Sequence, residues 1–299
     1  MKHLVVLLGP TGVGKTHASI QLAQTYNAPI LSADSRQLFK GIEIGTAAAT
    51  KEEKDLVPHY FVGTKELDET YSAGAYEEDV LALLPTLFQT HDIVLLVGGS
   101  MMYIDAICKG MDDIPEVDQS IRQNVHKLYQ ENGLESVREL LLKLDPAYYS
   151  TVDLKNTQRV MHAVEVSLMI GKPYSSLLTK KTANRNFTIT KIGFNLPREE
   201  LYQRINMRVE QMFEKGLVEE AQNLYTKKEL NSLNTVGYKE IFDYIDGIYP
   251  SIEIAKEKIK QHSRNYAKRQ LTWFRKDKSI VWFHPDDVDG CIKHINACL

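Results

Sequence analysis

Two features of the chain carry chemistry by residue type and spacing. The first is Gly9-Pro-Thr-Gly-Val-Gly-Lys-Thr16, which reads G-x-x-x-x-G-K-T, a phosphate-binding pattern. In such a loop the segment Gly9, Pro10, Thr11, Gly12, Val13 and Gly14 aims its main-chain N–H groups, of which Pro10 has none, and a helix N-terminus at an anion. Lys15 adds a compact positive charge, and the Thr16 hydroxyl is suited to hold Mg²⁺. The second feature is Asp34, with Ser35, Arg36 and Gln37 behind it. Loops of this type most often serve nucleotide hydrolysis, where an aspartate ends the central strand and organises metal and water. Here the candidate central strand ends Val97-Gly-Gly-Ser100, with no carboxylate. The acid beside the loop is Asp34 instead, which suits a general base that takes a proton from a nucleophile. Group transfer to an acceptor follows. The loop itself reads only phosphates and leaves the transferred group open.

The elements that must position these residues are legible around them. His3–Leu8 is a short apolar run that predicts a strand into the glycine loop, and His17–Gln24 carries helical spacing after it. Ala28–Ala33 predicts a second strand, placing Asp34 at a strand's carboxyl end, where open α/β sheets bind ligands. Gly41–Thr46 reads as loop, residues 74–90 as helix, and His91–Ser100 as a buried central strand closed by a glycine pair. Met101–Lys109 follows as helix. The texture changes at Asp112–Asp118, an acidic, proline-bearing connection. Gln119–Gln130, Leu134–Leu144 and Thr157–Ile170 are then helical, with no strand signal until Thr188. The expected fold is α/β: a parallel sheet carrying the phosphate loop, with flanking helices and an all-helical insertion. Residues 1–112 form the first part of the core, 113–184 the insertion and 185–299 the second part. In that second part Thr188–Asn195 and Ser279–Phe283 are strands, and helices fill Arg198–Glu214, Leu217–Lys227, Tyr238–Tyr244 and Ile252–Arg275.

Composition bounds the setting. With 299 residues, 43% hydrophobic and 25% charged, the chain resembles an ordinary globular protein with a full core. No run approaches the roughly 18 apolar residues of a membrane span, and no signal-peptide pattern opens the chain, so the cytoplasm is expected. Cys108, Cys291 and Cys298 form no C-x-x-C pair, and the nine histidines show no ligand spacing. A formal net charge of −3 means that any nucleic acid must be bound by a local patch. One candidate is the stripe Lys260, Arg264 and Lys268, spaced i, i+4, i+8; Trp273 reads as core. A monomer is the default expectation.

A wider set of motifs lies in order along the chain. After the glycine loop and Asp34–Gln37 come Ile44-Gly-Thr46, Val57-Pro-His59, Tyr71-Ser-Ala73 and Val97–Ser100 followed by Tyr103. Then follow Asp145-Pro146, Gln158-Arg159, Ala163–Val166, Gly171-Lys-Pro173, Arg204 with Arg208, Val236–Glu240 and Ala267–Trp273. Together these resemble the bacterial tRNA dimethylallyltransferases, over nearly the whole chain. The resemblance implies dimethylallyl diphosphate as donor and N6 of adenosine 37, in the anticodon stem-loop of tRNA, as acceptor. It implies that Thr11–Thr16 cradle the diphosphate with Lys15, that Mg²⁺ sits at Thr16, and that Arg208 offsets leaving-group charge. Asp34 takes the amine proton and Ser100 lines the site. The base must leave its stack to reach them. Contacts to tRNA are implied for Asp34, Ser35, Arg36, Gln37, Ser100, Arg122, Gln158, Arg159, Val160, Met161 and His162. Ala48-Ala49, His162 and Asn234 depart from the family's usual residues, and bear on tRNA contacts only. The alternatives are a small-molecule kinase with this loop, an AMP-directed isopentenyltransferase that needs no insertion, and a non-catalytic tRNA-binding module.

Overall fold

The computed structural model describes residues 2–179 and 183–299. The chain divides into two compact units, Met1–Cys108 with Asn184–Leu299, and Lys109–Ala183. The expected insertion, 113–184, includes residues 180–182, and the expected first part begins at Met1; these four residues lie outside the described ones.

The first unit opens with β1 (His3–Leu8), whose six residues are all buried. The glycine loop turns it into α1 (Lys15–Tyr26), whose cap Gly14 has φ 105°, a conformation that glycine adopts without cost. β2 (Ile30–Ala33) follows. Gly41–Thr46, expected as loop, contains one helical turn, α2 (Glu43–Thr46). Its N–H groups find an external acceptor, because Glu220 takes those of Ile44 at 3.0 Å and Gly45 at 2.9 Å. α3 (Lys51–Leu56) starts with a Thr50–Glu53 capping box. A two-residue strand β3 (His59–Tyr60) and α4 (Ala73–Thr90), capped by Ser72, lead to β4 (Ile93–Gly98) and α5 (Met101–Lys109).

The second unit is helical. α6 (Gln119–Leu144) is broken at Gly133, φ 74° and ψ −177°, in the gap between the two helices read from the sequence. α7 (Pro146–Tyr149) is capped by Asp145, which also accepts the N–H and hydroxyl of Ser175. α8 (Thr157–Ile170) is capped by Asn156 and ends at Gly171. Val125, Val137, Leu141, Val160 and Val164 form the centre of this unit's own core.

The chain returns to the first unit in β5 (Thr188–Phe194), then α9 (Arg198–Glu214), α10 (Leu217–Leu224), α11 (Tyr238–Ile245) and α12 (Ile252–Phe274). β6 (Val281–Phe283) and α13 (Val288–Cys298) close it. The sheet order is β3-β2-β4-β1-β5-β6, every pair parallel. Its strands are apolar because helices cover both faces. Register aligns Leu8 with both Gly98 and Gly193, and Ala33 with Gly98. The glycine loop, Asp34 and the Gly99-Ser100 turn therefore leave one edge of the sheet side by side, with β4 between β1 and β2.

Candidate active site

At that edge the loop is held from within. The Lys15 ammonium donates to the carbonyls of Gly9 at 3.0 Å and Pro10 at 2.9 Å. Burial and the nearby Arg208 lower its pKa to about 7, against a smaller opposing pull from Asp34. Thr16 is exposed at the start of α1, and its hydroxyl has no hydrogen-bond partner among the described residues. One free hydroxyl at a helix N-terminus fits Mg²⁺, which takes few protein ligands and completes its shell with phosphate oxygens and water.

Asp34 Oδ1 accepts the N–H groups of Arg36 at 2.9 Å and Gln37 at 3.4 Å. That turn anchors the carboxylate through one oxygen and leaves Oδ2 without a hydrogen-bond partner among the described residues. Ser100, 7% exposed, accepts the Ser35 N–H at 2.8 Å. The resemblance implies that Ser100 and Gln37 contact tRNA; in this structure both hydrogen-bond within the protein. Gln37 donates to the Thr46 and Ala47 carbonyls at 3.3 and 3.1 Å and accepts from Ser32 at 3.1 Å. Arg36 caps the carbonyls of Asn231, Ser232 and Asn234.

Two cavities meet here. The smaller, about 270 Å³, holds Gly12, Gly14, Lys15 and Thr16. The larger, about 550 Å³, opens between α9, α11 and α12. Thr11, Asp34, Arg208 and Tyr266 line both, so the carboxylate stands where a phosphate chamber joins a wider one. Arg208, on α9, donates to the Thr46 carbonyl at 3.1 Å. Burial lowers its pKa while Asp34 raises it. Tyr266 is pushed up to about 12, first by burial and then by Asp34, and so stays a neutral hydroxyl near the base.

Three features of the site carry no signal of their own in the sequence. Gln270 accepts the Thr11 N–H at 2.9 Å and donates to the Gly99 carbonyl at 2.8 Å. Tyr266 and Arg269 line the larger cavity. In the same wall buried Glu240 accepts the Gly237 N–H at 2.7 Å and meets His262 Nδ1 at 2.5 Å. All lie in the motifs Val236–Glu240 and Ala267–Trp273 or just before the latter, where spacing alone gives no chemistry. The expected basic stripe is not presented as such. Lys260 pairs with Glu210 and Glu257, and Arg264 donates to Asn206 at 2.6 Å, which leaves Lys268 exposed on that side. Trp273 is half-buried, packs against the core and donates to Asp105 at 2.9 Å.

In the helical unit the expected contact segment divides. Gln158 and Arg159 are exposed and His162 is half-buried, but the side chains of Val160 and Met161 lie in the core. As side-chain contacts to an outside ligand those two are corrected by helical geometry, which turns them inward. Arg122 is exposed, 3.8 Å from buried Glu165, and His162 lies 4.0 Å from the same carboxylate. Burial lowers the His162 pKa, against Glu165, which raises it.

The chain matches the family model described as IPP transferase over residues 37–277. It is 54% identical, over 98% of each chain, to "tRNA dimethylallyltransferase 1" of Phocaeicola vulgatus. Against the protein of the same name from Bacteroides fragilis the identity is 52%, over 100% of this chain and 99% of that one. Among solved structures, the full-length tRNA isopentenylpyrophosphate transferase of Bacillus halodurans superposes with a TM-score of 0.71 at 34% identity, covering 99% of this chain and 94% of that one. Match length, identity and shared fold agree: the chain belongs to the IPP transferase family.

Proposed function

We propose that this enzyme transfers a dimethylallyl group from dimethylallyl diphosphate to N6 of adenosine 37 in the anticodon stem-loop of tRNA. The observation that carries the reading is Asp34, a carboxylate with one unused oxygen at the junction of a phosphate chamber and a wider one. The names of the relatives support the same reaction. The diphosphate binds along Gly12–Thr16 with Lys15. The flipped base enters the wider chamber, because its amine is unreachable within the stacked loop. The N6–C1 bond forms as the C1–O bond breaks, diphosphate departs, and Asp34 Oδ2 takes the amine proton. Arg208 and Lys15 meet the charge that grows on the leaving oxygen. Thr16 would hold Mg²⁺, which would supply further charge compensation when bound. The helical unit supplies Arg122, Gln158 and Arg159 as tRNA contacts. On this reading the enzyme acts as a monomer in the cytoplasm; separately, among the described residues no helix is long and apolar enough to cross a membrane.

Incubation with dimethylallyl diphosphate, Mg²⁺ and unmodified tRNA tests the reading. It requires one released diphosphate per prenylated adenosine. Parallel incubations separate the alternatives: with ATP and candidate small molecules, ADP and a phosphorylated product would establish the kinase, and with AMP in place of tRNA, prenylated AMP alone would establish the other.

A further inference from the structure

The sheet order sets a problem for the reaction proposed above, on which this inference rests. β4 lies between β1 and β2, and neighbouring strands are about 4.8 Å apart, so the glycine loop and Asp34 leave the sheet roughly 10 Å from one another. They share no ladder. Yet attack needs the donor carbon and the amine held within about 3.5 Å of each other, and a misplacement of about 1 Å costs on the order of 100-fold in rate.

Hydrogen bonds cross the gap at the end of β4. On the side of β2, Ser100 N–H donates to the Ala33 carbonyl at 3.1 Å, and Ser100 Oγ accepts the Ser35 N–H at 2.8 Å. On the side of β1 the link is Gln270, a residue of α12 that is 1% exposed. Its Oε1 accepts the Thr11 N–H and its Nε2 donates to the Gly99 carbonyl, at 2.9 and 2.8 Å. These partners fix the amide's orientation, since an N–H can only donate and a C=O can only accept. The fit also demands glycine at 99, where a Cβ would lie 2.3 Å from Gln270 Nε2.

We infer that Gln270 is a positioning residue: it ties the diphosphate cradle at Thr11 to the Gly99-Ser100 turn, and through Ser35 to Asp34, and so sets the spacing between leaving group and base. It also occupies the Thr11 N–H, and Val13 N–H donates to the Pro10 carbonyl at 3.4 Å, which leaves the amides of Gly12, Gly14, Lys15 and Thr16 for the diphosphate. Gln270 acts through the geometry of these groups and touches no reacting atom.

The test uses the full-length enzyme with dimethylallyl diphosphate and unmodified tRNA. Gln270→Met keeps the length and removes both hydrogen bonds. Gln270→Glu keeps the acceptor for Thr11 and sets a carboxylate against the Gly99 carbonyl, so it serves if the first variant fails to fold. Either is expected to lower kcat about 100-fold, with KM for donor and for tRNA within about threefold of the unsubstituted enzyme. Ser100→Ala cuts the same path, so the Gln270→Met/Ser100→Ala double variant should fall little below the weaker single variant. An unchanged kcat, a loss confined to donor KM, or multiplicative losses in the double variant would overturn the inference while leaving the transfer reaction standing. No product from the unsubstituted enzyme would overturn both.

Discussion

Asp34 binds the main chain of Arg36 through one carboxylate oxygen, at 2.9 Å, and leaves the other at the junction of the two cavities. The residue is at once a turn former and the candidate base. Asp34→Asn separates these duties, because the amide oxygen still accepts the Arg36 N–H but cannot take a proton. Turnover should fall by about 10²–10⁴-fold, while affinities for diphosphate and tRNA change only a few-fold. Single-turnover rates set beside titrations check this; equal losses in both would assign Asp34 to binding.

Lys15 gives a proton-linkage prediction. Its pKa in the ligand-free protein is about 7, below the ordinary 10.5, chiefly through burial. A diphosphate stabilises the ammonium, so binding near pH 8 should draw in up to one proton, and less near pH 6, where Lys15 is already charged. Calorimetry in two buffers of different ionisation enthalpy reads the uptake, and Lys15→Met should abolish it. The sign for stability follows from the same shift. From about pH 7 to 10.5 the unfolded chain holds more protons than the folded one, so this residue's contribution to stability rises with pH across that window. Lys15→Met should flatten that part of the profile in thermal unfolding.

Arg208 joins α9 to α2 through the Thr46 carbonyl at 3.1 Å and stands beside the phosphate chamber. Arg208→Gln should reduce kcat about 100-fold, as when one donor to a developing anion is removed. The stability lost with the single hydrogen bond should be about 1 kcal/mol. Arg208→Lys should not restore the rate, since an ammonium lacks the planar fork.

In the helical unit, exposed and buried neighbours on α8 should part company. Arg159→Ala should weaken tRNA binding and reduce its salt slope by about one, with the unit's stability unaffected. Met161→Ala should do the reverse, costing about 2–5 kcal/mol through the cavity it leaves, visible in chemical denaturation.

How much of this was legible in the residues depends on range. The glycine loop, the strand before it and Asp34 at the end of β2 are local patterns, and the helix pairs of the insertion follow apolar periodicity. The one-turn helix Glu43–Thr46 was not legible, because its N–H groups are satisfied by Glu220, far along the chain. The helix Val288–Cys298 was missed because its Asp-Asp-Val-Asp-Gly opening reads as a turn. The basic stripe of α12 was misread for the same reason of range, since Glu210 on α9 neutralises Lys260. Gln270 stands in the motif Ala267–Trp273, but its role was not legible there: its two partners, Thr11 and Gly99, meet only in the folded sheet.

A crystal structure with a non-reactive thiolodiphosphate analogue of the donor and an anticodon stem-loop tests the central claim most directly, that one junction holds both leaving group and base. The account predicts both phosphates on the amides of Gly12, Gly14, Lys15 and Thr16 and on the Lys15 ammonium, with Asp34 Oδ2 about 2.6–3.2 Å from the acceptor amine. Phosphates bound outside the glycine loop, or an Asp34 carboxylate turned away from that amine, would contradict it.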